Sequence, residues 1–310
     1  MIGTAIVAVD VIAPVVVAAR VIGNDTVGVT DTVDDTIGAM NPDGLASALG
    51  ASVTRATPVS GGDINDASRV ELADGRTIFV KSQERDLPDL FTAEAAGLDW
   101  LRAATTSLRV PQVIAHGDHW LALEWLELAG RPDPAQLGRG LAELHRAGAP
   151  TFGLDRANYL ATLAQDNTPE PDWPAFYVER RLRPLCMRAK LGLDRELDQL
   201  RERDVFGPAE PPARLHGDLW WGNVASCAGA PVILDPAVYG GHREIDLAML
   251  ALFGGLPDAL VRAYEEVAPL AAGWRDRIAL HQLYPLAAHA CLFGGGYGAQ
   301  VARALATYLR

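Results

Sequence analysis

The sequence has few cysteines, few basic residues and no uninterrupted apolar run long enough to suggest a membrane span. Its three cysteines, Cys186, Cys227 and Cys291, are far apart and form no C-x-x-C or His/Cys ligand pattern, which predicts reduced thiols and a cytoplasmic location. The 27 basic residues against 39 acids give a net charge of −12. This excess of acids excludes broad electrostatic attraction to nucleic acid or anionic lipid, so we expect no partner of either kind.

The first 39 residues differ in composition from the rest of the chain. They carry five acids and one base, Arg20, and their apolar stretch over residues 1–19 is interrupted by Asp10 and Pro14. Because no basic segment precedes that stretch, the pattern argues against a signal peptide or a membrane span. We predict that residues 1–39 are a poorly ordered N-terminal extension and that Met40 is the more natural start.

The chain beyond Met40 changes from strand-like to helix-like patterns. Apolar-rich runs separated by turns such as Asp74-Gly75 predict a β-meander, and from Pro134 onward the patterns are mainly helical. These features predict an α+β fold with two lobes: a β-rich N-lobe over residues 40–129 and a mainly helical C-lobe over residues 130–310. We expect the hinge near Gly130.

Periodic apolar positions predict the helices. In the N-lobe, residues 90–102 have an apolar stripe of helical period. In the C-lobe, the patterns predict helices over residues 134–147, 175–191, 194–203, 257–267 and 274–305. We expect the last of these to break near Pro285 and again in the Gly294–Gly296 run.

One short stretch of the C-lobe combines acids and an amide at an informative spacing. Asp218 lies in His-Gly-Asp-Leu-Trp-Trp-Gly-Asn, Asn223 follows five residues later, and Asp235 follows twelve residues after that, at the exit of a predicted strand. In phosphoryl transfer an aspartate accepts the proton of the acceptor hydroxyl, while an asparagine and a later aspartate hold Mg²⁺. The spacing therefore predicts Asp218 as the general base and Asn223 and Asp235 as metal ligands.

A lysine and a glutamate in the N-lobe have the pattern of a phosphate-orienting ion pair. Lys81 ends a predicted strand, and Glu94 borders the apolar stripe of the following helix. A strand lysine paired with a helix glutamate orients the nucleotide phosphates in kinases.

Two further segments are candidates for contact with the nucleotide. Gly61 and Gly62 form a turn between two predicted strands, where backbone N–H groups can approach a phosphate. By analogy with two-lobed kinases, the backbone from Glu124 to Leu126 would hydrogen-bond an adenine at the lobe junction.

Two polar residues near the predicted catalytic loop, and one on a separate helix, have structural roles in this interpretation. Asp246 begins an apolar helix, where an acid accepts backbone N–H groups. We interpret His216 as a hydrogen-bonding residue that shapes the loop, and His145, near a helix end, as structural.

Taken together, these motifs resemble the fructosamine kinase (ketosamine-3-kinase) family, which has a protein-kinase-like fold related to the aminoglycoside phosphotransferases. The resemblance covers about residues 45–310. It includes the blocks around Lys81, Glu94 and Asp218, and also Phe152-Gly153-Leu154-Asp155, Glu179-Arg180-Arg181-Leu182-Arg183-Pro184, Asp235-Pro236-Ala237-Val238-Tyr239, Arg243-Glu244-Ile245-Asp246, Leu252-Phe253-Gly254-Gly255 and Leu292-Phe293-Gly294-Gly295-Gly296-Tyr297.

The resemblance implies ATP-dependent phosphorylation of the sugar 3-hydroxyl of a ketosamine such as a fructosamine or ribulosamine, with ATP and Mg²⁺ as cofactors. The phosphorylated product is labile, so the reaction would initiate deglycation. The acceptor would be a small ketosamine or a glycated protein lysine. Trp220, Trp221 and Tyr239 become candidates for contact with this substrate.

The sequence also departs from the family pattern at two places that bear on the substrate. Trp221 stands where relatives usually have a small residue, and Gly240-Gly241-His242 stands where they often have Tyr-Gly-Asp. A kinase for another hydroxylated small molecule, such as an aminoglycoside, choline or a sugar, therefore stays open. A non-catalytic nucleotide-binding protein is a third possibility, which the complete set of motif residues disfavours.

Overall fold

The computed structural model describes residues 42–59 and 65–310. The predicted N-terminal extension over residues 1–39 lies outside the described residues. So do Gly61 and Gly62, whose expected role at a nucleotide phosphate stays a prediction.

The N-lobe consists of a five-stranded antiparallel sheet and two helices, one before the first strand and one between the third and fourth strands in sequence. Helix α1 (Pro42–Leu49) precedes the sheet, whose strand order is β1-β2-β3-β5-β4. Helix α2 (Leu90–Arg102) matches the sequence prediction at both ends. The strands are β1 (Val53–Pro58), β2 (Asp66–Leu72), β3 (Thr77–Ser82), β4 (Val113–Gly117) and β5 (Trp120–Glu124).

Alternation along β3 assigns its side chains to the two faces of the sheet. Ile78 and Val80 are buried against Leu45 and Leu49 of α1. Lys81, one position further on, therefore points to the opposite face, where it meets α2. The alternation of side chains along β3 therefore places the charged group of Lys81 in the interior, beside α2.

The C-lobe is mainly helical, with short hairpins between its helices. Its helices are α3 (Pro134–Arg146), α4 (Trp173–Phe176), α5 (Arg183–Arg188), α6 (Asp194–Glu202), α7 (Glu244–Leu252), α8 (Asp258–Val267), α9 (Ile278–Phe293) and α10 (Tyr297–Tyr308). Its strands pair as β6 (Asn158–Leu160) with β7 (Leu163–Gln165), β8 (Ala213–Leu215) with β11 (Tyr239–Gly241), and β9 (Val224–Cys227) with β10 (Ala230–Ile233). The sheet of the N-lobe ends at Glu124 and α3 begins at Pro134, so the predicted boundary near Gly130 falls between them and stays a prediction.

Two helix predictions need correction. The expected break near Pro285 is wrong, because α9 runs continuously from Ile278 to Phe293 and ends only at Gly294. Pro285 is buried together with its neighbours Leu286 and Ala287, so packing offsets the backbone hydrogen bond that proline removes. The predicted helix over residues 175–191 instead contains a π-helical turn, Tyr177–Leu182, between α4 and α5.

Apolar residues of both lobes pack together in one shared interior. One cluster joins Phe91 and Leu98 of α2 to Leu219 and Ile233 beside the predicted catalytic loop. Within residues 42–59 and 65–310, no helix is long and apolar enough to cross a membrane.

Candidate active site

The predicted catalytic loop leaves the short β8–β11 ladder. Leu215 pairs with Tyr239, and the backbone N–H of Ala237 donates to the carbonyl of His216 at 2.9 Å. Gly217 has a φ of 81°, and a Cβ there would lie 2.1 Å from the carbonyl oxygen of Ala237. Only glycine fits this close approach, which fixes the path of the chain into Asp218.

The β9–β10 hairpin brings the three motif residues together. The backbone N–H of Leu234 donates to the carbonyl of Asn223 at 3.0 Å, so Asp235 follows directly beside Asn223. The side-chain amide of Asn223 donates to the backbone carbonyl of Asp218 at 2.9 Å and to its Oδ2 at 3.1 Å. The three residues predicted from their spacing therefore lie at one place in the fold.

Asp218 lies in a partly enclosed position where its negative charge is poorly balanced. Burial raises the pKa of Asp218 to about 7, and the neighbouring charge of Asp235 adds to this effect, while the hydrogen bond from Asn223 opposes it. A carboxylate with a raised pKa is a stronger proton acceptor than an ordinary aspartate. The site therefore contains a basic group next to a second acid.

Lys81, in the N-lobe, pairs with one carboxylate of its own lobe and one of the C-lobe. Its Nζ forms an ion pair with Glu94 of α2 and lies 2.8 Å from Oδ1 of Asp235. Burial alone would lower the pKa of Lys81, but the charges of Asp235 and Glu94 outweigh it, so the lysine stays protonated. Burial raises the pKa of Glu94 to about 6 despite the attraction of Lys81. The predicted Lys81–Glu94 pair is thus present, and it reaches the predicted metal ligand.

Asp246 holds the catalytic loop from its inner side. Its Oδ2 accepts the backbone N–H of His216 at 2.8 Å, and its Oδ1 accepts that of Gly217 at 3.0 Å. Nε2 of His145 lies 3.2 Å from Oδ2, and Nδ1 of the same ring lies 2.8 Å from the hydroxyl of Tyr264. Asp246 therefore receives backbone N–H groups of the loop rather than those of its own helix α7.

The hydrogen bonds of His216 define its protonation. Its Nε2 donates to the carbonyl of Leu234 at 2.8 Å, and its Nδ1 accepts the backbone N–H of Asp218 at 3.2 Å. One donor and one acceptor describe a neutral imidazole, and burial lowers the pKa of His216 in agreement with this state. The ring is fully buried, so its position is that of a loop support.

The three candidate substrate residues lie in different surroundings. The ring of Trp220 is partly exposed and covers Gly222, where a Cβ would lie 2.1 Å from it. Trp221 is only 7% exposed, and its indole N–H donates to the carbonyl of Gly255 at 2.8 Å. Tyr239 is fully buried beneath Gly217. Both Trp221 and Tyr239 are thus packed in the interior, and their contact with a substrate stays a prediction.

The predicted adenine segment follows the last strand of the sheet. The carboxylate of Glu124 binds Arg109 at 2.9 Å and the backbone N–H of Gln112 at 3.0 Å. The side chain of Leu126 is buried against Ala225 and Val232 of the β9–β10 hairpin. The side chains of both residues thus stabilise the junction, and the role of their backbone at a nucleotide stays a prediction.

The free oxygens of Asn223 and Asp235 fit a hard divalent cation. Asn223 uses its amide nitrogen on Asp218, so its carbonyl oxygen remains for a ligand. Asp235 gives one carboxylate oxygen to Lys81 and keeps the other. Amide and carboxylate oxygens are ligands that Mg²⁺ prefers, and a cation would offset the repulsion between Asp218 and Asp235.

Two groups of contacts near the site were not predicted from the sequence. One is the contact of His145 with Asp246, which joins residues 101 positions apart. The other is a set of aromatic rings beside Trp220, and its only sequence signal is a repeated Leu-Phe-Gly-Gly at residues 252–255 and 292–295.

Solved structures place the fold among the protein-kinase-like phosphotransferases. A crystal structure of a candidate fructosamine-3-kinase from Thermobifida fusca superimposes with a TM-score of 0.78 at 42% identity and covers 87% of this chain and 98% of that one. A macrolide 2′-phosphotransferase type I superimposes with a TM-score of 0.57 at 18% identity and covers 86% of this chain and 95% of its own, which shows the shared fold alone.

Sequence comparisons define the family more narrowly. A family model described as fructosamine kinase matches residues 43–310. A protein of Enterococcus faecium named "probable ketoamine kinase" is 39% identical over 265 residues, covering 81% of this chain and 94% of its own length. The chain therefore belongs to the fructosamine kinase family. Its general activity is therefore that of a small-molecule kinase, a phosphotransferase that uses ATP.

Proposed function

We propose that the protein phosphorylates the sugar 3-hydroxyl of a ketosamine, with ATP as donor and Mg²⁺ as metal cofactor. The observation that carries this proposal is the convergence of Asp218, Asn223 and Asp235 at one place in the fold, with Nζ of Lys81, from the other lobe, 2.8 Å from Oδ1 of Asp235. Membership of the fructosamine kinase family supports the choice of acceptor.

Each residue has a defined part in the proposed transfer. Asp218 accepts the proton of the sugar hydroxyl while the new oxygen–phosphorus bond forms and the bond to ADP breaks. Asn223 and Asp235 would hold Mg²⁺, which when bound would neutralise charge on the phosphates. Lys81, positioned by Glu94, binds the phosphates from the N-lobe.

The product of this reaction is a ketosamine 3-phosphate. Such a product is labile, so its formation initiates removal of the sugar from the amine. The acceptor is a small ketosamine or the glycated lysine of a protein, and both carry the same sugar hydroxyl.

An acceptor panel tests the proposal directly. ADP release is measured with purified protein, ATP and Mg²⁺ on a fructosamine, a ribulosamine, an aminoglycoside and choline, and the phosphorylated position is assigned by ³¹P-coupled NMR. We expect turnover on the ketosamines and a phosphate on the 3-oxygen. Turnover confined to the aminoglycoside or choline would refute the ketosamine assignment while leaving the kinase intact.

The departures from the family pattern do not themselves favour another acceptor. Trp221 packs in the interior, with the guanidinium of Arg131 4.5 Å from the centre of its ring. Gly240 and Gly241 lie in β11, and a Cβ at Gly240 would lie 2.0 Å from the carbonyl of Thr151. Both departures are therefore accommodated by packing, and neither replaces Lys81, Asp218 or a predicted metal ligand.

A further inference from the structure

A continuous strip of five aromatic rings leads away from the catalytic loop. We call it the aromatic strip, and its members are Trp220, Phe253, His289, Phe293 and Tyr297. The ring centres of Trp220 and Phe253 are 6.4 Å apart, and those of Phe253 and His289 are 4.9 Å apart. His289 in turn lies 5.4 Å from Phe293 and 5.1 Å from Tyr297.

The strip is built where two packed helices end. Helices α7 and α9 pack against each other, and each ends in a Leu-Phe-Gly-Gly sequence. Phe253 follows α7 directly, and Phe293 is the last residue of α9, four positions after His289. Gly294 has a φ of 64°, so the chain turns away at once and leaves the ring of Phe293 at the surface.

Phe293 is unusually exposed for its size. It is 63% exposed, and among the described residues the only other large hydrophobic side chain of this kind is Met187 at 64%. Phe293 differs from Met187 because it packs beside the ring of His289, which connects it through Phe253 to Trp220 of the catalytic loop. The other four rings of the strip are all partly exposed. A grouped set of exposed apolar side chains beside an active site marks a binding surface.

The members of the strip carry no charge at neutral pH. Burial lowers the pKa of His289, although its hydrogen bond to the carbonyl of Pro285 opposes this, so the imidazole is neutral. Its Nδ1 donates to that carbonyl at 2.7 Å, which leaves Nε2 as an acceptor. Neutral ring faces bind apolar groups and attract cations, whereas they offer nothing to an anion.

We propose that the aromatic strip binds the substituent on the nitrogen of the ketosamine, and that it selects acceptors with an aromatic or aliphatic group there over acceptors with an acidic one. This inference rests on the proposed function. With the 3-hydroxyl at Asp218, the ketosamine nitrogen is four bonds from the reacting oxygen, or about 5 Å. The backbone N–H of Trp220 donates to the carbonyl of Asp218 at 3.2 Å, so the strip starts at the catalytic loop, and the substituent would meet it at this end.

The direction of the strip adds to this assignment. It passes from the partly exposed ring of Trp220 to the open surface at Phe293. A substituent longer than the sugar can follow it outward without entering the protein interior. The protonated amine of a ketosamine also suits a surface of neutral rings, because ring faces attract cations.

The test compares two ketosamines that share fructose and differ only at nitrogen: fructosyl-benzylamine and fructosyl-glycine. We expect a lower KM of the wild-type protein for the benzylamine derivative. Phe293→Ala should raise that KM about fivefold to tenfold, because an apolar contact is lost, and leave kcat and the KM for ATP unchanged. The KM for fructosyl-glycine should change less than about twofold. Met187→Ala, which removes an equally exposed side chain elsewhere, should change none of these values.

Each contrary outcome has a distinct meaning. If Phe293→Ala left the KM for both acceptors at the wild-type values, the aromatic strip would not be a substrate surface. A rise of the KM for the benzylamine derivative in Met187→Ala equal to that in Phe293→Ala would overturn the assignment too. Turnover on both ketosamines with no effect of Phe293→Ala removes this inference and keeps the proposed function. Absence of turnover on any ketosamine removes both. Unchanged melting temperatures of the two variants verify that the comparison concerns folded protein.

Discussion

The inner and outer sides of the catalytic loop place two aspartates in opposite situations. On the inner side, Asp246 is almost fully buried and receives two backbone N–H groups and His145. On the outer side, Asp218 has the amide of Asn223 as a partner and faces the charge of Asp235. The two carboxylates lie on either side of the same loop, yet only one has its charge matched by the protein.

The pKa values follow this difference. Burial would raise the pKa of Asp246, but the hydrogen bonds from His145 and from the backbone of His216 hold it below its ordinary value. The pKa of Asp218 is raised to about 7 because no comparable set of donors offsets its burial. The comparison teaches that a buried acid with complete partners shapes a site, whereas one with incomplete partners is available for a substrate.

The largest effect should come from the outer aspartate. Asp218→Asn removes the proton acceptor but keeps the size of the side chain, so kcat should fall about 10²- to 10⁴-fold. Stability should stay equal or increase, since the repulsion between Asp218 and Asp235 is relieved. ADP release measures the first effect and thermal unfolding the second, and ATP binding by calorimetry is the control. Retention of wild-type turnover would contradict the role of Asp218.

The inner aspartate should show the reverse pattern. Asp246→Ala leaves the backbone N–H groups of His216 and Gly217 without partners in a buried place. The free energy of unfolding should fall by about 3–5 kcal/mol, as measured by denaturant titration. Loss of turnover in this variant would follow from displacement of the loop. If Asp246→Ala unfolded at the same denaturant concentration as wild type, the loop would not depend on these bonds.

How much of this site was predictable depends on sequence distance. Asp218, Asn223 and Asp235 lie within eighteen positions of one another, so a local pattern was enough to place them together. Lys81 and Glu94 needed only one strand and one helix, and α2 has the bounds expected from its apolar stripe. The α+β, two-lobed fold followed from the same change of pattern near Gly130.

The parts that could not be predicted depend on contacts between distant segments. His145 meets Asp246 across 101 positions, and no local pattern indicates this contact. Trp220 and Trp221 are adjacent in sequence, but Trp220 is extended and a 3₁₀ turn begins at Trp221, so the two rings point to different sides. We predicted the same role for both tryptophans from the sequence, but the backbone places their rings in different surroundings.

A buried cluster around His242 should make the free energy of unfolding depend on pH, in a way that the catalytic loop does not. His242 is 4% exposed, and burial together with the neighbouring His281 lowers its pKa to about 4. The groups around it are Glu244, Glu210 and Arg277. In the unfolded chain a histidine titrates near 6.5, so between about pH 4 and 6.5 the unfolded state binds the proton first. Stability contributed by neutral His242 is therefore present above pH 6.5 and is lost as the pH falls through this window.

The variant His242→Gln should remove this acid sensitivity. Between pH 7 and pH 4 the wild-type protein should lose up to about 3 kcal/mol more of its free energy of unfolding than the variant does. Denaturant titrations of both proteins at several pH values measure the difference. Raised acids such as Asp218 and Glu94 titrate in the opposite sense in both proteins, so they cancel in the comparison. Parallel pH profiles would contradict the low pKa of His242.

The smallest effect should come from Trp221, the residue next to the exposed tryptophan of the loop. Trp221→Phe keeps a buried ring and loses the hydrogen bond from the indole N–H to the carbonyl of Gly255. The free energy of unfolding should fall by about 1 kcal/mol, and the KM for the acceptor should stay unchanged, because this ring is almost completely buried. Trp220→Phe is the matched control, and here the KM for the acceptor should rise, since the ring is partly exposed. A change of acceptor KM in Trp221→Phe that equals the change in Trp220→Phe would place both rings on the outer side of the loop.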